Sequence, residues 1–350
     1  ARINTDNIIN NWLTIGVQSF MTTSDYSGDE ISPRFRYEHN PYMTIYDENG
    51  DYVTYPGGQF INPMLAAEAD DLDKRLNISG NVYANIEIPF IERLSYRFNF
   101  NNTFINRSEY SFQHYGADLR GSGSKIESKN YDYSSDNIIT YKRAFNKVHS
   151  INATLLYGIE KRNYTSTYAG ASDFINNVLG YNRLQAGNAE LYNVNSEAWE
   201  ESSLYQMARL FYGYNNKYLV TGTIRRDGFS GFSKNNKIGI FPSAALAWVI
   251  SNEPFIQSNI NWIDNLKLRV SYGSNGNRTI SRYQTLATVT GGYNYVTADE
   301  SSVYTQSIAA LASPNLKWET TTGVNLGLDL GVFKGRVFGT LDYYNNNTTN

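Results

Sequence analysis

The chain has 350 residues, is 15% aromatic with 29 tyrosines, and carries a formal net charge of −3. Cysteine is absent, which removes disulfide scaffolds and thiolate metal sites, and no basic block could neutralise a run of phosphates, which argues against a nucleic-acid partner. No run of 18 apolar residues occurs, so an ordinary membrane-spanning helix is excluded while a barrel of alternating strands is not.

Alternation of apolar and polar residues begins at once. In NWLTIGVQSFM (11–21), Leu13, Ile15 and Val17 alternate with Thr14, Gly16 and Gln18. Across 75–88, Leu76, Ile78, Val82, Ala84, Ile86 and Ile88 share one face, with Asn77, Ser79, Asn81 and Asn85 on the other. Leu94, Tyr96, Phe98 and Phe100 then stand against Ser95, Arg97 and Asn99. Ile151, Ala153, Leu155, Tyr157 and Ile159 repeat the pattern. So do Leu266, Leu268, Val270 and Tyr272, and finally Val324, Leu326, Leu328 and Leu330. Such alternation predicts strands with one apolar face, about eleven in all.

The connections alternate in length. Tight turns are expected at 89–92, 145–147, 214–217 and 333–335, and longer polar stretches at about 25–74, 108–124, 165–202, 228–239 and 274–320. The segment 252–265 is of intermediate length where a short one is due. Short turns on one edge and long loops on the other mark an up-and-down sheet in an outer membrane. The polar face carries Asn, Ser, Thr and Gly with scattered charges, which suits a wet or plugged lumen. Trp12, Trp248, Trp262, Trp318, Tyr343 and Tyr344 read as interfacial girdles near strand ends.

Motifs for chemistry are lacking. His39, His114 and His149 never fall in a ligand spacing, so no metal or other cofactor is expected. The acidic run EADDLDKR (68–75) lacks the pattern of a calcium loop and reads as a solvated loop face. SGSK (122–125) and Ser135-Asp136-Asn137 faintly resemble serine β-lactamase motifs, but the first lies in a glycine-rich stretch and K-T-G is missing. The chain is therefore read as a protein that is not an enzyme.

At 217–255, KYLVTGTIRRDGFSGFSKNNKIGIFPSAALAWVISNEPF resembles the SusC/RagA family, the TonB-linked outer-membrane importers of Bacteroidetes. The resemblance rests on Arg225, Arg226, Asp227, Gly228, Phe241, Pro242, Ser243, Trp248, Glu253 and Phe255, with Gly231 where the family often has Arg. Two further blocks follow in family order, LKLRVSYGSNGN (266–277) and the stretch 313–349, which contains Trp318 and Glu319. On this reading Arg225, Arg226 and Asp227 close an ascending strand at the outer rim. Gly228 and Gly231 turn the chain, and a small-residue strand descends from Phe241.

The resemblance implies a 22-stranded barrel with an N-terminal plug. It also implies a SusD-like lipoprotein lid capturing oligosaccharides or peptides, and energy from the TonB–ExbB–ExbD complex through a region upstream. The expected fold is all-β: an antiparallel up-and-down transmembrane barrel in outer-membrane lipid, with residues 1–350 a part of it that lacks plug and final strands. The implied location is the outer membrane of a Gram-negative, Bacteroidetes-like bacterium. The alternatives are an outer-membrane porin or adhesin, or a soluble carbohydrate-binding β-sandwich.

Overall fold

Alternating strands need a ladder partner on each side, and consecutive segments of this chain supply it to one another. The computed structural model describes residues 1–28, 42–53, 62, 64, 69–113 and 120–349. Its strands are β1 (Arg2–Asn10), β2 (Leu13–Asp25), β3 (Asp70–Glu87), β4 (Leu94–Gln113), β5 (Ser122–Phe145), β6 (His149–Ser172) and β7 (Asn193–Tyr214). They continue with β8 (Tyr218–Phe229), β9 (Ile238–Val249), β10 (Ile263–Asn277), β11 (Thr288–Val296), β12 (Ser302–Ala310), β13 (Glu319–Val332) and β14 (Val337–Thr349). Twelve of them form one sheet in the order β1 to β10, β13, β14, and β11 with β12 makes a separate hairpin. Every sheet neighbour pairs antiparallel, and β1 and β14 are its open edges.

The up-and-down order puts the turns at 89–92, 145–147, 214–217 and 333–335 on one rim, as expected, together with 252–265. The long connections within 165–202 and 274–320 lie on the opposite rim. Three of the tight turns carry successive residues at positive φ: Asn146 and Lys147, Asn215 and Asn216, and Phe333 to Gly335. Positive φ at the centre of a tight turn gives the twist that matches the flanking strands.

The apolar face stays open to its surroundings. Leu155 is 54% exposed, Ile224 52%, Leu246 52% and Leu326 46%. A soluble sandwich buries that face against a second sheet, and among the described residues no second sheet packs there. Lipid is the solvent that such a face fits.

The twelve-stranded sheet agrees with the expected count of about eleven. Several expectations need correction. The expected loop 165–202 shrinks to 173–192, since β6 and β7 run on as polar strands. Residues 70–75 of the acidic run belong to β3, where Asp73 accepts from Arg75 and Arg107 at 2.8 and 2.9 Å. Ser122–Lys125 opens β5 instead of lying in a loop. Gly228 is an extended β8 residue opposite Ile238, not a turn. Tyr343 and Tyr344 sit in mid-β14, away from its ends. His39 and His114 lie outside the described residues.

The aromatic girdle is built at the short-turn rim. Tyr214, Tyr218 and Trp248 stack in sequence with centroids 6.4 Å apart, and Trp262 stacks on Phe333 at 5.9 Å. Beneath them Glu253, 7% exposed, accepts from Tyr218 Oη at 2.7 Å, Lys217 Nζ at 2.9 Å and Trp248 Nε1 at 3.1 Å. Those donors hold its carboxyl down to about 2, against the opposing effect of burial. Pro254 starts a one-turn helix directly after it.

Candidate luminal site

Strand parity sorts the remaining side chains. With Val220, Ile224, Leu246, Leu268 and Leu328 on the outward face, the alternate positions look inward. On β6 these include Glu160; on β7, Ser203 and Tyr205; on β8, Arg225 and Asp227; on β9, Phe241 and Ser243. With Asn275, Asn277, Arg278 and Trp318 they line a cavity of about 530 Å³ at the long-loop end.

Charge in the cavity is paired across strands. Arg278 donates to Glu160 Oε2 at 2.9 Å and to Ser203 Oγ, and its guanidinium lies 5.2 Å from the Phe229 ring centre. Arg162 Nε donates to Glu160 Oε1 at 2.6 Å. Arg225 donates to Asp227 Oδ2 at 2.7 Å and stands over Tyr205 at 5.4 Å. These guanidiniums and carboxylates sit in a half-enclosed space, where charge-assisted hydrogen bonds gain strength.

An aromatic wall closes one side. Trp318 meets Phe241 at 5.5 Å edge-on and Phe232 at 5.0 Å, and Phe232 meets Phe229 at 5.4 Å. Gly239 and Gly276 make room for Phe241; a Cβ on either would come within 2.5 Å of its ring. Trp318 Nε1 donates to Lys237 O at 3.1 Å. The 230–237 loop is tied down further by Ser233, which donates through N and Oγ to Leu316 O at 3.2 and 3.0 Å. A second pocket of about 480 Å³ lies outside this wall, between that loop and 280–286. There Arg282 pairs with Glu201 at 2.7 Å and lies 3.6 Å over Trp199.

The family described as TonB dependent receptor-like, beta-barrel matches residues 10–350. The chain belongs to that family. TonB-dependent receptor P3 of Formosa agariphila is 34% identical over 323 residues, which cover 91% of this chain and 31% of that protein. SusC of Bacteroides thetaiotaomicron is 39% identical over 160 residues, 45% of this chain and 16% of SusC. A solved structure described as the RagAB peptide transporter superposes with a TM-score of 0.82 at 25% identity, over 99% of this chain and 40% of that one. The chain spans about a third of the length of the curated TonB-dependent receptors from Formosa. The SusC/RagA resemblance and the outer-membrane location it implies are borne out.

The family-motif residues do not act as one set. Arg225, Asp227, Gly228, Phe241 and Trp318 line the cavity, and Glu319 adjoins it by accepting from Asn277 Nδ2 at 3.2 Å. Arg226 faces outward and donates to Gln206 Oε1 at 2.9 Å; Pro242 shares that outward face opposite Ile224. Trp248 stands at the other rim with Glu253. Trp318 is a cavity-wall residue rather than a girdle one. Glu160 and Arg278 escaped the sequence reading: their only signal is charge in polar stretches 118 residues apart, which register alone brings together.

Proposed function

We infer that the chain is a middle portion of the barrel wall of a TonB-dependent outer-membrane importer, with a plug upstream and closing strands downstream. Together with a SusD-like lipoprotein the whole protein takes up oligosaccharides or comparable polymer fragments. Energy comes from the TonB–ExbB–ExbD complex, and no covalent chemistry takes place in this wall. The observation that carries the reading is the cavity at the long-loop end, with an aromatic wall and paired charges, on a sheet whose opposite face is apolar. Aromatic surfaces beside a few fixed polar groups suit a sugar ring.

A peptide substrate is the second reading. It is favoured by the superposition on the RagAB peptide transporter and by the carboxylate and guanidinium groups facing the cavity. Uptake by cells carrying the full-length protein and its lipoprotein decides between them, with labelled oligosaccharides and labelled oligopeptides as substrates. Oligosaccharide uptake abolished by a protonophore supports the first reading, and peptide uptake abolished in the same way supports the second. Uptake of either that survives the protonophore returns the protein to the porin class.

A further inference from the structure

On the outward face, the first charge met beyond the apolar belt is a cation on four strands. Lys74 follows Ile78 and Leu76 on β3, and Lys129 follows Tyr133 and Tyr131 on β5. Lys161 follows Tyr157 and Ile159 on β6, and Arg226 follows Gly222 and Ile224 on β8. Counted from the short-turn rim, the row lies from 8 residues up (β8) to 16 residues up (β5). At about 3.3 Å per residue and about 45° of tilt, that range brackets the far edge of an apolar band about 25 Å tall.

Three neighbours fix the row at a boundary. The Tyr131 and Tyr133 rings, 5.9 Å apart, lie directly below Lys129, where an aromatic girdle belongs. Glu127 is the next outward residue beyond Lys129, and Glu200, which pairs with Lys161 at 3.0 Å, sits opposite Asn163, one outward position farther out. Asp25 is level with Lys74 and 3.7 Å from it. Farther out still, the outward face is covered by protein: Phe112 and Phe174 meet edge-on at 5.0 Å under Tyr181 and Leu184 of the 173–192 connection. Lipid tails therefore end below the row, and folded protein begins above it.

We propose that Lys74, Lys129, Lys161 and Arg226 form a binding surface for phosphate-bearing lipid headgroups of the leaflet that faces the long loops. The order of charges matches such a headgroup: the cations bracket the depth of the phosphates, and Glu127 and Glu200 stand farther into water than the lysines beside them. Long cationic side chains at this depth reach the interface while their stems remain against apolar surface. The inference rests on the outward face meeting lipid and is independent of what the lumen carries.

The test uses purified full-length protein in detergent and native mass spectrometry. The probes are a lipid A bearing two phosphates, the same lipid dephosphorylated, and inorganic phosphate alone. Wild type should prefer the phosphorylated lipid, and each cation removed should cost about fivefold in affinity. The triple variant Lys129→Gln, Lys161→Gln, Arg226→Gln, which keeps Lys74, should lose about a hundredfold of that preference, at unchanged strand content by circular dichroism. The single Lys129→Gln repeats the measurement on an exposed residue whose loss threatens folding least. Equal binding of both lipids by wild type, or a preference undiminished in Lys129→Gln and in the triple variant, overturns the proposal. So does displacement of the phosphorylated lipid by inorganic phosphate at equal concentration.

Discussion

Replacing Leu328 by arginine puts a charge near the middle of the outward apolar run of β13, Val324 to Leu330. Leu328 stands in register with Leu268 on β10 and Leu341 on β14, and the three are 37%, 48% and 72% exposed. Both of its register partners are leucines, so the guanidinium meets hydrocarbon. A cationic side chain at the bilayer midplane of a barrel costs about 2–4 kcal/mol, or roughly 30- to 1000-fold in the folded-to-unfolded ratio. The assay is a urea titration of the full-length protein folded into vesicles, with Asn325→Arg as comparator. Asn325 faces open luminal space, and arginine there should cost under about 1 kcal/mol. A cost for Leu328→Arg below about 1 kcal/mol, or equal to that of Asn325→Arg, refutes the assignment of faces. Gly327 cannot serve as comparator, although it too looks inward. A Cβ there meets the Arg269 guanidinium at 2.6 Å and the Asp342 carboxylate at 2.7 Å.

Arg278→Ala removes the donor to Glu160 and Ser203 and should lower substrate uptake about tenfold, the worth of a charge-assisted bond, at unchanged insertion; unaltered uptake removes Arg278 from the site. Trp318→Ala deletes two ring contacts and the bond to Lys237 O, worth about 1–3 kcal/mol locally, and should make the 230–237 loop cleavable by protease; equal protection contradicts this. Glu253 has a depressed pKa, so its stabilisation is complete above about pH 4.5 and is lost as pH falls toward about 2. The melting difference between wild type and Glu253→Gln should therefore be present at pH 7 and shrink in acid; a pH-independent difference speaks against the ion pair. Deleting 284–310, which removes the β11–β12 hairpin, should lower uptake while the barrel still inserts; normal uptake and normal lipoprotein association take the hairpin out of the mechanism.

Period-2 alternation made the barrel legible wherever lipid lies on one side and water on the other. Val324 to Leu330 show it without a break, and so do Ile151 to Ile159. Where both faces are wet the pattern vanishes although the ladder continues. That is why Thr165–Ser172 and Asn193–Ser202 read as loop and yet pair residue by residue. The β11–β12 hairpin was hidden for the same reason, since nearly every described side chain in β12 is exposed. Of the site, the motif supplied Arg225, Asp227, Phe241 and Trp318 but not their opposite facings from Arg226 and Pro242, which parity decides. Glu160 meets Arg278 only because the three intervening strands, β7 to β9, fix their register.

The most direct measurement of the central claim is quenching of a fluorophore attached at Leu328→Cys in the full-length protein assembled in lipid, with Asn325→Cys labelled in parallel. The account predicts that a lipid-phase quencher reaches the label at 328 and a water-soluble one does not. At 325 the lipid-phase quencher should fail. A label at 328 quenched from water, or protected from both quenchers, would contradict a lipid-facing sheet.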